Sequence, residues 1–400
     1  MSKTVNVALI GQGFMGRSHS NAWCQVNKFF TPPIKPVMHT VYGMAQEKPE
    51  IFAQRWGWQH TSTDWQALVA SEEIGLVDIV TPNFMHMPPA VAALEAGKPV
   101  ACEKPIAGTL ADARKMVEMA EAKKLPTFVW FNYRRCPAVA FAHKLVTSGE
   151  LGRILHIRAR YLQDWAGENV PMAWRFKKEL AGSGAHGDLN AHIVDITRFV
   201  AGVEIDEICG AICETLIKQR KVMDDSLGAG ISQDELIKAG ANAGDKYEEV
   251  TVDDTVSFLV KFNNGAVGSY EAARQATGHQ NGNFFEINGT KGSLRFNFER
   301  MNELEYYDAR LPRPVQGWTN ILCTNAASHP YVGNFWPDGH LIGYEHAFTS
   351  MAYDITKVLA GEEPTVPLPS FYDAYQTQRV LEAALVSASE RRFVKMDEIK

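Results

Sequence analysis

Hydrophobic positions in the first third of the chain fall in short, mostly apolar runs separated by helix-spaced patterns, which is how a parallel sheet buried on both faces reads. Val5 to Ile10, Pro36 to Tyr42, Leu76 to Val80, Pro99 to Cys102 and Thr127 to Phe131 have the strand character. Helices are predicted from Met15 onward, over Glu50 to Trp56, Thr63 to Ser71, Pro89 to Ala96 with Gly97 as its stop, and Leu110 to Lys123. Further along, Ile154 to Tyr161, Glu207 to Leu216, Thr255 to Phe262, Ala266 to Glu271, Phe284 to Ile287 and Ser293 to Phe298 read as strands. Asn263-Asn264-Gly265 and Asn288-Gly289 supply turns between several of them, so this second sheet is expected to be largely antiparallel. One face needs a cover, from helices near Asp188 to Val200 and Phe371 to Ser389 or from another subunit. Lys218 to Asp245 is polar and glycine-containing and reads as an insertion or lid.

A chain of 400 residues with 46% apolar and 22% charged residues has ordinary globular composition and enough length for two domains. Its net charge of -6 carries no signal for a polyanion, so nucleic acid is not an expected partner. The N-terminal apolar run is too short for a secretion signal and nothing approaches a membrane span, which points to the cytoplasm. Cys24, Cys102, Cys136, Cys209, Cys213 and Cys323 are scattered, without CxxC spacing, and are expected as reduced thiols rather than zinc ligands.

Chemistry enters at Gly11-Gln12-Gly13-Phe14-Met15-Gly16, a GxGxxG loop set directly between an apolar strand and a helix. In that setting the first glycine permits the tight turn, the second lets backbone approach a pyrophosphate, and the third lets helix and strand pack closely. The helix N-terminus behind them favours phosphate. An acid at the end of the second strand would select NAD through its ribose; here Gly43 and Met44 stand there, followed by Glu47 and Lys48, which leaves NAD against NADP open. Of the two, NAD is slightly favoured.

Glu103-Lys104-Pro105 follows another strand of the same sheet, at the carboxyl end where ligands bind in such folds. A lysine there has the charge to hydrogen-bond a reacting oxygen. Asp188 and His192 are four apart in a helix-like stretch, with Asp195 continuing it, so acid and imidazole are expected on one helix face. Two ligands without a third nearby give no metal site.

These segments, GQGFMG, EKP at Glu103 to Pro105 and GSGAHGDLNAHIVD from Gly182 to Asp195, resemble in order and spacing the GFO/IDH/MocA family of oxidoreductases. Phe131 to Val139, Tyr161 to Trp165, Trp174 to Phe176 and His329 to His346 resemble the sugar dehydrogenases within it. The resemblance implies an α/β architecture: an N-terminal Rossmann domain over residues 1–128 and a substrate-binding and oligomerisation domain over 129–400 with a large, mostly antiparallel open sheet. It implies Lys104, Asp188 and His192 as catalytic residues. Gly11, Gly13, Phe14, Met15, Gly16, Gly43, Thr81, Asn83, His86, Glu103 and Lys104 are the expected cofactor contacts. Tyr133, Arg134, Gln163, Trp165, Trp174, Arg175, His192 and Tyr331 are the expected sugar contacts, with His329, Trp336 and His340 on the far side. The implied activity is NAD(P)-dependent hydride transfer at a secondary ring hydroxyl of a sugar, sugar derivative or glycoside. His192 serves as base, Lys104 on the same oxygen, and Asp188 orients the histidine or a sugar hydroxyl. A homodimer or homotetramer through the C-terminal sheet follows from the same resemblance. Two other classes share these motifs: a glycosidase using NAD transiently, and a non-catalytic dinucleotide-binding regulator.

Overall fold

Residues 3–222 and 246–400 are described in this computed structural model. The apolar run at the start is strand β1 (Thr4–Ile10), and its last four residues are buried. Helix α1 (Phe14–Phe29) follows the glycine loop, and β2 (Lys35–Tyr42), α2 (Pro49–Trp56), β3 (His60–Ser62) and α3 (Trp65–Ala70) come next. Then β4 (Leu76–Ile79), α4 (Met87–Glu95), β5 (Val100–Cys102), α5 (Leu110–Lys123) and β6 (Thr127–Val129) complete the first sheet. The described strands order as β3-β2-β1-β4-β5-β6, with every pairing parallel. The order reverses direction at β1, so the crevice beyond the carboxyl ends of β1 and β4 is the binding position of a doubly wound sheet. The three-residue strand β3 lies outside the predicted set because it is too short to carry a period.

After helix α6 (Pro137–Thr147), strand β7 (Ile154–Leu162) enters the second sheet. A short helix α7 (Lys178–Ala181), a π-helical turn at His186–Asn190 and helix α8 (Ala191–Ala201) follow. The sheet continues with β8 (Ile205–Glu214), while β9 (Gln219–Lys221) and β10 (Tyr247–Glu249) pair apart from it as an antiparallel ribbon. The expected lid at Lys218 to Asp245 therefore begins in β9, and its greater part lies outside the described residues. Strands β11 (Thr255–Phe262), β12 (Val267–Ala273), β13 (Gly282–Gly289), β14 (Gly292–Asn297), β15 (Glu303–Asp308) and β16 (Trp318–Leu322) follow. Helices α9 (Val332–Phe335), α10 (Tyr344–Leu359) and α11 (Phe371–Glu390) lead to the two-residue edge strand β17 (Val394–Lys395).

The described order is β16-β15-β14-β13-β7-β12-β11-β8-β17, antiparallel except where β7 runs parallel to β12. Along β11 burial alternates: Val256, Phe258 and Val260 face the helices, while Leu259 is 56% exposed on the other side. Ile212 and Val267 are exposed on the neighbouring strands β8 and β12. Strand β15, the edge strand β16 and helices α6 and α10 were not predicted from the pattern.

The C-terminal segment returns to the first sheet. The Val129 amide donates to the Pro369 carbonyl at 2.8 Å, and the Phe371 amide to Thr127 Oγ1 at 3.1 Å. Gln378 on α11 exchanges hydrogen bonds with the backbone of Ala107 in both directions. None of the helices among the described residues is long and apolar enough to cross a membrane.

Candidate active site

The glycine loop packs in a way that requires its glycines. Gly11 has φ +113, and a Cβ there would lie 3.0 Å from the Val80 carbonyl oxygen. A Cβ on Gly16 would come within 2.9 Å of the Gly11 carbonyl oxygen. Gly13 is the N-cap of α1, without a side-chain cap and with no acid in the first turn, which leaves the helix amides open to an anion. Phe14 is largely exposed and its ring stacks parallel to Tyr344 at 6.4 Å, while Met15 packs against the core. These features fit a dinucleotide: the backbone is bare where a pyrophosphate approaches, and the amides point at it.

Two loops face this one from β4 and β5. Thr81 Oγ1 donates to the Met85 carbonyl, and Asn83 Nδ2 reaches across to the Ala181 carbonyl at 2.9 Å. His86, expected as a cofactor contact, is fully buried, with its ring nitrogens on the Pro105 and Thr81 carbonyls at 2.9 and 2.8 Å. Burial lowers its pKa. It ties the two loops together from behind. Glu103 is likewise buried, with one oxygen on His19 Nε2 at 2.9 Å and the other accepting the Lys104 amide at 3.0 Å. The bond between Lys104 and Pro105 is cis.

The Lys104 side chain meets the second half of the chain. Its Nζ donates to the Asp188 carbonyl at 2.9 Å and to Asp188 Oδ1 at 3.1 Å. Arg274 and Arg175 stand 3.8 and 4.0 Å from Asp188 Oδ2. Burial works to raise the Asp188 pKa, but Lys104, Arg175 and Arg274 overcome it and hold the carboxyl well below the usual carboxylate range. Asp188 thus serves Lys104, and no hydrogen bond joins it to the imidazole of His192 among the described residues. The reason is the π-helical turn: its wider winding removes the stacking that four-residue spacing gives in an α-helix. The turn is held by Asp253, whose carboxylate accepts the Gly184 and His186 amides, both at 2.7 Å. A Cβ on Gly184 would fall 1.8 Å from the Asp253 carbonyl oxygen.

His192 lies in an aromatic cage, 4.5 Å from the Tyr133 ring and 5.9 Å from that of Tyr161. Its Nδ1 is buried without a hydrogen-bond partner. Burial, with the charge of Lys104, puts its pKa well below 6.5 against the opposing pull of Asp188, so the ring is neutral at neutral pH. Tyr133 and Tyr161 share a hydroxyl contact at 3.0 Å; Tyr161 and Gln163 both donate to Asn281, at 2.7 and 2.8 Å. Gln163 in turn accepts the Trp165 indole N–H at 2.8 Å. Arg175 sits over the Trp174 ring at 4.6 Å. Tyr133, Gln163, Trp165, Trp174 and Arg175 thus form one wall around Lys104 and His192, joined by Asn281, Tyr161 and Arg274, which were not among the expected contacts.

Two expected sugar contacts are elsewhere. Arg134 is buried in a bidentate pair with Asp195, 2.9 Å at its Nε, and stacks on Phe199. The tight turn Asn132–Arg135 sends it to the opposite side from Tyr133. Tyr331 is buried with its hydroxyl on Asp354, which also holds Arg135, and packs against Phe30. His329 is a buried core residue, while Trp336 and His340 are on the surface. From this segment Tyr344 does reach the site, between Phe14, Tyr133 and Phe298.

A doubly wound sheet with a bare glycine loop, faced by a lysine, a neutral histidine and a polar-aromatic wall, defines a dinucleotide-dependent oxidoreductase. Residues 5–131 match the oxidoreductase family with NAD-binding Rossmann fold, and residues 139–295 match the GFO/IDH/MocA C-terminal domain. The chain belongs to the GFO/IDH/MocA family. It is 40% identical over 406 residues to levoglucosan dehydrogenase of Pseudarthrobacter phenanthrenivorans, covering 99% of each chain. The structure of levoglucosan dehydrogenase in complex with NADH and levoglucosan superposes with a TM-score of 0.88 at 37% identity, over 98% of this chain and 100% of that one. An oxidoreductase domain protein from Kribbella flavida also superposes with a TM-score of 0.88, at 41% identity over 98% and 99% of the two chains.

Proposed function

We propose that Lys104, Asp188 and His192 form the catalytic centre of this NAD(P)-dependent sugar dehydrogenase, acting on a secondary ring hydroxyl. The observation that carries the reading is the meeting of Lys104 with Asp188 at 3.1 Å, across the crevice between the Rossmann sheet and helix α8. The uncharged His192 accepts the hydroxyl proton. The Lys104 ammonium, held by Asp188, stabilises the charge developing on that oxygen. Asp188 is the anchor of Lys104. Tyr133, Gln163 and Asn281 present hydrogen-bonding groups to sugar hydroxyls, and Trp165 and Trp174 present apolar faces to ring C–H groups. A nicotinamide dinucleotide held by its pyrophosphate at the glycine loop would supply the hydride acceptor.

The substrate class is an anhydrosugar or similar pyranose, by similarity to levoglucosan dehydrogenase. We divide the chain at residues 1–128 and 129–400, with β6 straddling the border. The exposed apolar face of the second sheet, with Ile212, Leu259 and Val267, is the surface through which a homodimer or homotetramer would form, in the cytoplasm. The test is a sugar panel headed by levoglucosan, with NADH absorbance and product analysis on the same samples. Dehydrogenation gives one NADH per oxidised sugar. Free sugar from a glycoside without net NADH would instead identify the oxidoreductive glycosidase, and no turnover with any sugar would identify a regulator.

A further inference from the structure

The end of β2 carries Gly43 in place of an acid, and the Gln12 side chain occupies the space beside it. A Cβ on Gly43 would lie 1.8 Å from Gln12 Nε2, whose side chain leans from the glycine loop onto the strand end. The carboxylate comes instead from beyond the strand. A single tight turn over Ala45–Glu47 folds Glu47 back, and its Oε2 accepts the Met44 amide at 2.8 Å and makes a long 3.5 Å contact with Gln12 Nε2. Glu47 is half-buried there, between the glycine loop and the carboxyl end of β2. Its Oε1 has no protein hydrogen bond among the described residues, so the carboxylate keeps acceptor capacity. The surroundings are negative: the Tyr42 hydroxyl pKa is raised by burial and then by Glu47 and Asp64. Lys48 is the adjacent basic group, exposed at φ 52 as α2 begins.

We propose that Glu47 is the residue that makes this enzyme select NAD over NADP, by accepting the hydroxyls of the adenosine ribose and repelling a 2′-phosphate. The geometry places a carboxylate where the end of the second strand meets the glycine loop, the position from which an acid reads the ribose in this fold. It does so without an acid in the strand-end position itself, so the sequence at Gly43 and Met44 alone does not disclose the preference. A 2′-phosphate brought to this point would meet a fixed, partly desolvated negative charge. The proposal rests on the dinucleotide reading of the glycine loop.

The experiment is calorimetric titration of the full-length protein with NADH and with NADPH, without sugar, for the wild type, Glu47→Gln and Lys48→Ala. Glutamine retains an oxygen to accept the Met44 amide, so the turn is kept while the charge is removed. The wild type should bind NADH more tightly than NADPH, by on the order of 100-fold. Glu47→Gln should narrow that ratio by roughly tenfold, chiefly through tighter NADPH binding, and Lys48→Ala should leave it unchanged. Equal or preferred binding of NADPH by the wild type would overturn the proposal, as would a ratio that Glu47→Gln does not alter or that Lys48→Ala abolishes. If neither dinucleotide binds, the cofactor reading of the loop is what fails.

Discussion

Raising the pH should weaken this protein in a window set by one buried histidine. His19 on α1 is fully buried, with Nδ1 on Asp78 at 2.9 Å and Nε2 on Glu103 at 2.9 Å. Asp78 also accepts the indole N–H groups of Trp23 and Trp130, at 2.7 and 2.9 Å. Burial alone would lower the imidazole pKa, but the charge and hydrogen bond of Asp78 and those of Glu103 raise it from 6.5 to about 9. A group with a raised folded pKa binds more protons folded than unfolded, so its contribution is complete below pH 6.5 and lost as pH climbs through about 9. The shift corresponds to ~3 kcal/mol. For a chain of this length unfolding as a unit, that is a fall in Tm of about 4 °C. Scanning calorimetry between pH 6 and 10 reads it directly, and His19→Gln should flatten the slope. The same imidazolium holds Glu103, which holds the Lys104 amide, so kcat should decline only as pH climbs through about 9, where the folded imidazolium itself loses its proton. A wild-type Tm that stays level from pH 6.5 to 9.5 would refute the charged state of His19 and this chain of support.

Three further outcomes test the site. His192→Ala should lower kcat by about 10²–10⁴-fold while leaving the NADH affinity, read by titration, nearly unchanged. Because the imidazole pKa lies well below 6.5, the acid limb of kcat/KM from this group should fall below pH 6.5, not near neutrality; a limb at 7 assigned to His192 by its loss in the variant would contradict the burial argument. Asp188→Asn should cost about 1–3 kcal/mol in denaturant unfolding and most of the turnover, since Lys104 and Arg274 lose a shared, partly buried anion; unchanged unfolding would remove Asp188 from that role. Arg134→Ala should lower Tm but leave KM for the sugar within about twofold in the folded protein, because its partner Asp195 is in the core; a KM effect without a stability effect would return it to the pocket.

What the sequence made legible follows from how much each element depends on local pattern. The central strands of the first sheet are buried on both faces, so Val7 to Ile10 appears as an uninterrupted apolar run and Leu76 to Ile79 as one broken only by the buried Asp78. The glycine loop is legible because its backbone conformation excludes side chains. The missing strands β15 and β16 lie toward a solvated edge, where Glu303 to Asp308 and Trp318 to Leu322 mix polar and aromatic residues without clean alternation. The π-helical turn leaves no trace in the sequence, so the spacing of Asp188 and His192 suggested a partnership that the winding prevents. Tyr133 and Arg134 look equally suited to a sugar, and only the turn that carries them decides which one faces it. In the segment from His329 to His346, Tyr331 suggested a pocket but packs against Phe30 of α1 as core, while Trp336 meets Phe29 from the surface. Asn281 stands in a loop whose pattern carries no signal.

The bonds from Val129 to Pro369 and from Thr127 to Phe371 have a consequence for the order in which the protein is made. A ribosome delivers β6 well before the segment that flanks it, and α11, which holds the loop after Lys104 through Gln378 and Ala107, emerges later still. The nucleotide-binding half is therefore completed by a segment made long after its own strands. A nascent chain halted before Pro369 would carry the whole glycine loop and all three of Lys104, Asp188 and His192, yet leave the strand at the border of the first sheet without its final neighbour. Reporter partners fused ahead of β1 and behind α11 would then read completion of the first half by the arrival of the later segment.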